Sequence, residues 1–186
     1  MKSLKRFARR VGAILARPEA EWAVIAGEQL TAAALFVRYI AILAVIPALG
    51  RAIGASLVGG YAPILPSLAG ALVIYASGFV IVYGLAFLVD ALAPRFGARR
   101  DFSRALDLMV YAATPVWLAG IFLVVPGLSF LMIFGIYALY LAWSGLPVLM
   151  RAPPERSLAY TGAIASAALV AVIIVGVIAT PFFRPA

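Results

Sequence analysis

The sequence predicts an all-α integral membrane protein, a bundle of about five transmembrane helices with an amphipathic N-terminal segment. Of its 186 residues 66% are hydrophobic and only 12% are charged, whereas soluble domains average about 45–50% and about 25%. The apolar residues also fall into five runs of about 20 residues, the length that crosses the hydrocarbon core. A water-soluble fold could not cover so much apolar surface, so we expect lipid to cover it.

Glycine, proline and arginine separate the predicted spans. Gly59-Gly60, Pro63 and Pro66 predict a loop over residues 54–67. Val125-Pro126-Gly127 predicts a very tight connection, so that spans three and four form an antiparallel hairpin. The predicted spans are 32–53, 68–91, 105–125, 129–150 and 158–181, between an N-terminal segment at 1–31 and a short external tail at 182–186.

The basic residues predict the topology. Thirteen of the 15 lysines and arginines lie in the N-terminal segment, at the start of span one, or in the connections that follow spans two and four. The other two, Arg51 and Arg184, lie in the regions that alternate with these along the chain. Short basic loops stay in the cytoplasm, so we expect the N-terminus inside and the C-terminus outside. Because the basic residues follow this pattern, we attribute the net charge of +8 to membrane topology rather than to nucleic-acid binding.

The N-terminal segment has the pattern of a basic amphipathic helix that lies on the anionic inner leaflet. Its apolar residues recur at helical spacing, and Pro18 favours the start of a second short helix that carries Trp22 and Ile25. The segment is also a candidate site for a protein partner. The apolar residues are Leu4, Phe7, Val11, Ile14 and Leu15, and the candidates for lipid contact are Lys2, Lys5, Arg6, Arg9 and Arg10.

The chain contains no cysteine and no histidine. This composition excludes disulfides and haem ligation by those residues, and also nucleophile–histidine pairs. The seven acidic residues are scattered, so we expect no metal site and no cofactor. A non-enzymatic protein is the prediction, with only a carboxylate-based or lipid-modifying mechanism left open.

Four charged residues form a candidate polar cluster, and each lies near the end of a span that is next to a basic segment of the chain. Asp90 ends span two, Arg104 and Asp107 are three residues apart at the start of span three, and Arg38 lies at a similar depth in span one. One interpretation is an ion-pair cluster that fixes helix ends. The other is the inner mouth of a cation or proton path.

Thr114-Pro115, followed by Trp117, predicts a kink within span three, since proline removes a helical hydrogen bond. The kink is a candidate wall of a cavity or a bend that improves packing. Rows of small residues four apart predict close helix contacts, within one chain or in a homo-oligomer. The rows are Ala44, Ala48 and Ala52, and Ala163, Ala167 and Ala171.

Several short motifs in a fixed order resemble the Yip1 family in its bacterial branch, over nearly the whole chain. They are Pro18, Trp22 and Ile25, then residues 102–106, Tyr111-Ala112-Ala113-Thr114-Pro115, Tyr137 and Tyr140, residues 145–150, Pro154-Glu155 and Tyr160-Thr161. The resemblance implies five membrane helices, a cytosolic N-terminus and, for a bacterial member, the inner membrane. Eukaryotic members associate with small Rab-type GTPases and serve membrane traffic and shaping, while bacterial members have no agreed activity.

Two functions follow from these observations. The first is a Yip1-like protein that acts through interaction with partners or through organisation of the bilayer. The alternative is a small ion or solute transporter or channel, with a path near Asp90 and Asp107 and a kinked span three.

Overall fold

The computed structural model describes residues 2–28, 31, 35 and 39–184, and every regular element in that part of the chain is a helix. Five helices are long and apolar enough to cross a membrane, which confirms the all-α, multi-pass membrane bundle. Arg38 and much of the beginning of the first predicted span lie outside the described residues. The five spans are Ala41–Val58, Ile64–Phe96, Phe102–Val124, Pro126–Leu149 and Pro154–Phe183.

Two short helices precede the spans, α1 at Lys2–Ala16 and α2 at Pro18–Gly27. Arg17 separates them. Pro18 occupies the first turn of α2, where its missing N–H has no helical partner in any case. Glu19 and Glu21 also lie in this first turn and complement the positive end of the helix dipole.

The predicted loop over residues 54–67 is wrong at both ends. Span one continues as a π-helix over Gly54–Val58, after the α-helices Ala41–Leu43 and Val45–Ile53. Span two already begins its α-helix Ile64–Leu92 before Pro66. A proline in the first turn breaks no helical hydrogen bond, so Pro66 starts the helix rather than preventing it.

Spans three and four form the predicted hairpin, with Val125 alone between them. Span three breaks at Ala113, between the α-helices Phe102–Ala112 and Thr114–Ala119, so the predicted kink lies where Thr114-Pro115 begins. On both sides of the turn the chain is a 3-10 helix, over Gly120–Val124 and Pro126–Ile136. Span four then continues as the α-helix Tyr137–Leu149.

Span three is the centre of the bundle, and spans two and five lie at its periphery. In the most apolar part of span three 61% of the residues are buried, against 17% in span two and 11% in span five. Leu65, Val80 and Phe87 of span two and Val177 of span five are largely exposed and therefore face lipid. Short 3-10 turns end these two spans, at Ala93–Phe96 and Thr180–Phe183.

The small residues of span one serve packing within the chain. Ala44, Ala48 and Ala52 are buried, and span one lies so close to span three that a Cβ at Gly120 would be 2.6 Å from Pro47. The second predicted row, on span five, is only half-buried.

The connections between spans two and three and between spans four and five meet at one end of the bundle, where the Arg99 N–H donates to the Met150 carbonyl (2.8 Å). We call this the basic end. Its arginines are Arg95, Arg99, Arg100, Arg104, Arg151 and Arg156.

Candidate functional site at the basic end

Helix α2 is anchored on the bundle by a tryptophan. Trp22 is fully buried, and its indole N–H donates to Ser144 Oγ at 3.1 Å. The ring lies against Gly145 of span four, where a Cβ would be 2.8 Å from the indole and 2.5 Å from Leu108 Cδ1. Only glycine at this position leaves room for the anchor.

Arg104 of span three holds the C-terminal end of α2. Its guanidinium donates to the carbonyls of Ile25 (3.2 Å), Ala26 (2.9 Å) and Glu28 (3.0 Å). The last carbonyls of a helix lack helical partners and carry partial negative charge, so a cation is stabilising there. The same guanidinium donates to Asp107 at 3.5 Å, and it thereby joins α2 to span three.

Arg10 of α1 completes this attachment. It donates to Glu21 and to Glu28, each at 2.5 Å, and its guanidinium lies over the Tyr111 ring, 5.8 Å from the centroid. Burial alone would lower the pKa of Arg10, but the hydrogen bond to Glu28 and the neighbouring Tyr111, Glu28 and Glu21 outweigh it and raise that pKa. Arg10 therefore remains a cation that links α1 to α2. We call Arg10, Arg104 and Asp107, with the α2 groups that they hold, the clamp.

The apolar face of α1 packs against protein. Ile14 is fully buried, and Phe7, Val11 and Leu15 pack against the same core cluster. The Phe7 ring makes an edge contact with Tyr39, and the Tyr137 hydroxyl donates to the Leu15 carbonyl at 3.0 Å. The opposite face, with Lys5, Arg6 and Arg9, is exposed.

The predicted lipid-contact residues thus divide into two groups. Lys5, Arg6 and Arg9 form an exposed face, which we call the basic face of α1, whereas Arg10 is engaged in the clamp. The side chain of Lys2 lies outside the described part of the chain. The sequence pattern could not separate Arg9 from Arg10, because the carboxylates that hold Arg10 come from another helix.

The predicted polar cluster also separates into two pairs. Arg104 meets Asp107, whereas Asp90 binds Arg100, whose side-chain nitrogen lies 3.0 Å from Asp90 Oδ2. Arg100 is 62% exposed. The predicted member Arg38 lies outside the described residues.

The kink of span three is closely packed. The Thr114 hydroxyl donates to the Tyr111 carbonyl at 2.6 Å and lies 2.9 Å from the Tyr39 hydroxyl. Thr114, Pro115 and Trp117 are all buried. Threonine therefore satisfies a carbonyl at the proline break, as expected for a bend between packed helices.

A polar cavity of about 610 Å³ opens beside the clamp. Its charged and hydroxyl-bearing walls include Arg99, Arg104, Arg151, Asp101, Asp107 and Ser103. Sequence reasoning missed Arg99 and Arg151 as site residues, because each contributed only to the count of basic residues. They are far apart in the chain and meet only because the two connections cross at this end.

Three other cavities in the described part of the chain are lined almost entirely by apolar or aromatic residues, with Thr161 in the wall of one of them. One of about 420 Å³ lies between spans one and two, beside Val45, Leu49 and Tyr75. Below the polar cavity, Leu106, Leu108 and the following residues of span three are buried. These observations favour a packed bundle over the transport alternative.

The helical content, the five spans and the clamped N-terminal helices define a multi-pass, all-α membrane protein. The family model for the Yip1 domain matches residues 12–177. The chain belongs to the Yip1 family, which confirms the predicted resemblance at the level of the family. The match includes all of α2, spans one to four and span five as far as residue 177. No curated protein and no solved structure matches the chain.

Proposed function

We propose that this protein organises anionic lipid, and through it other components, at the cytoplasmic leaflet of a bacterial inner membrane. In this proposal the basic end and the N-terminus face the cytoplasm. The observation that carries it is the fixed basic face of α1, where Lys5, Arg6 and Arg9 are exposed while the apolar face is occupied by the bundle.

The occupied apolar face decides how α1 would act on lipid. A free amphipathic helix inserts its apolar side into the bilayer, but Ile14 and its neighbours already pack against the bundle. The remaining attraction is electrostatic, about 1 kcal/mol for each basic residue near an anionic surface, and it is screened by salt. We therefore expect α1 to concentrate anionic headgroups around the bundle rather than to wedge the leaflet apart.

The proposal is tested by measuring which lipids surround the protein. The purified chain is reconstituted in mixed vesicles with spin-labelled phosphatidylglycerol or phosphatidylcholine, and the protein-associated fraction of each label is compared. We expect a preference for phosphatidylglycerol that high salt reduces and that the triple variant Lys5→Glu, Arg6→Glu, Arg9→Glu largely removes.

The matched control is Arg184→Glu, which reverses an exposed charge near the opposite end of the bundle. It should leave the preference unchanged. An equal preference in the triple variant and the unmodified protein would overturn the proposal.

The orientation is tested separately by labelling introduced cysteines, which is possible because the chain has no cysteine of its own. Single variants Arg95→Cys and Arg184→Cys place a thiol at an exposed position near each end. In intact spheroplasts a membrane-impermeant maleimide should label the Arg184→Cys protein only, and lysis should permit labelling of both. Labelling of Arg95→Cys alone before lysis would reverse the assigned orientation.

A further inference from the structure

The polar cavity at the basic end lies between two chain connections that hold each other in place. Arg99 precedes span three, Arg151 follows span four, and the Arg99 N–H donates to the carbonyl of Met150 at 2.8 Å. Both arginine side chains line the cavity. Its volume of about 610 Å³ falls in the range of about 300–1,000 Å³ that is usual for small-ligand sites.

The charges in this cavity are unevenly compensated. The Arg104 guanidinium is engaged by Asp107 and by the carbonyls of α2, and the Asp101 carboxylate caps span three by accepting the backbone N–H of Arg104 at 3.1 Å. Arg99 and Arg151, in contrast, form no ion pair or side-chain hydrogen bond with any described residue. Two cations of the wall therefore remain available to an anion.

The backbone of Arg151 is unusual for its residue type. Its φ is 53°, in the left-handed region that favours glycine. This residue lies just after the end of span four, and the N–H groups on both sides of it, from Met150 and Ala152, donate to the Leu146 carbonyl. Glycine is the usual residue at such a helix end. Arginine is conformationally less favourable there, so what it adds is its side chain.

We propose that this cavity binds a phosphate group, with Arg99 and Arg151 as its cationic ligands and the Ser103 hydroxyl as a further donor. Guanidinium groups match the oxygens of a phosphate by parallel, charge-assisted hydrogen bonds. Val148 and Leu149 form an apolar side of the same cavity, which suits a phosphate carried by a lipid headgroup. This inference deepens the proposed function, because it adds one defined lipid site to the diffuse attraction of α1.

Titration with two probes tests the site and distinguishes its ligand sources. The purified full chain in phosphatidylcholine nanodiscs is titrated with short-chain phosphatidic acid and, separately, with inorganic phosphate. We expect saturable binding of at least one probe. Arg99→Gln and Arg151→Gly should each weaken it about tenfold, the effect of one lost charge-assisted hydrogen bond. Binding of phosphatidic acid alone would assign the headgroup as ligand, and similar binding of both would assign phosphate from either source.

Arg95→Gln is the matched control, because Arg95 is an exposed arginine of the same end that does not line the cavity. It should bind like the unmodified chain. Arg151→Gly carries a second readout, since glycine relieves the left-handed backbone and should raise the melting temperature without probe. A variant that is more stable yet binds the probe as before would overturn the proposal, as would the absence of binding by both probes.

The two proposals fail separately. The triple variant of the basic face of α1 should lose the leaflet preference and keep the affinity of the cavity for its probe. Arg99→Gln should show the reverse. A loss of cavity binding in the triple variant would show that α1, rather than the cavity, binds the phosphate.

Discussion

Arg104 and Arg100 lie at the same end of the bundle and each pairs with an aspartate, but their surroundings differ. Each binds an aspartate of a span, Asp107 or Asp90. The aspartates are both largely buried, with side chains 5% exposed for Asp107 and 12% for Asp90, but the side chain of Arg104 is 21% exposed and that of Arg100 62%. Arg104 also binds three carbonyls at the end of α2. The first pair joins α2 to span three, whereas in the second pair a surface arginine covers a buried aspartate.

The comparison teaches that burial and extra backbone acceptors, rather than the ion pair as such, determine the effect of these arginines. An exposed pair contributes little because water and salt screen it. A buried arginine whose partners remain behind leaves a charge and several carbonyls unsatisfied when it is removed.

The largest effect is expected for Arg104→Gln. The variant leaves Asp107 and the α2 carbonyls without their donor, so the free energy of unfolding should fall by about 3 kcal/mol or more. Thermal unfolding in lipid nanodiscs measures the loss. Trypsin should also cleave faster in α1 after the exposed Arg6 and Arg9, since the helix is no longer held.

Arg104→Lys is the control for charge. An ammonium group keeps the charge but cannot span the carbonyls and the carboxylate together, so we expect an intermediate loss. Equal stability of the glutamine variant and the unmodified chain would contradict the clamp.

A smaller effect is expected for Gly145→Ala. The new Cβ would lie within 3.0 Å of both the Trp22 ring and Leu108, and overpacking of this kind destabilises by about 1–3 kcal/mol. Thermal unfolding should report the displaced anchor, as should the fluorescence of Trp22 in a background that also carries Trp117→Phe and Trp143→Phe. Gly162→Ala serves as the control, because nothing lies within 4 Å of its Cβ position, and it should be neutral or stabilising by up to about 1 kcal/mol.

Arg10→Gln is expected to lower the stability by about 1–2 kcal/mol, since two charge-assisted hydrogen bonds on the same guanidinium are lost together. The raised pKa of Arg10 means that its contribution is fully present below its ordinary pKa and is lost only as pH rises through the still higher folded value. The difference between variant and unmodified chain should therefore be constant between about pH 6 and 9. A difference that disappears within this range would exclude a permanently charged Arg10.

The smallest effect is expected for Arg100→Gln, about 1 kcal/mol or less, because Arg100 is 62% exposed and holds Asp90 without further backbone acceptors. The same unfolding measurement in 1 M salt should abolish even this difference, while the effect of Arg104→Gln should largely remain. A loss at Arg100 comparable to that at Arg104 would remove the contrast between the two pairs.

The helical bundle could be predicted from the sequence, whereas the arrangement of the candidate site could not. Long apolar runs and the Pro-Gly turn predict the spans and the hairpin, because the membrane requires helices of a set length. The predicted loop extended too far because Pro66 was assigned to it, whereas proline is also common in the first turn of a helix. The clamp and the cavity depend on partners distant in the chain, such as the α2 carbonyls and the meeting of Arg99 with Arg151, and no local pattern records those contacts.

The 3-10 helix Pro126–Ile136 bears on membrane thickness. A 3-10 helix rises about 2.0 Å per residue and an α-helix about 1.5 Å, so a return of these residues to α-helix would shorten span four by about 5 Å. That length is comparable to the roughly 5 Å by which the thicknesses of natural bilayers differ. We therefore expect thin bilayers to favour the α form and thick bilayers the 3-10 form. The distance between spin labels near Pro126 and Leu149 should therefore increase with the chain length of the lipid. A constant distance would show that span four keeps its 3-10 helix in all bilayers.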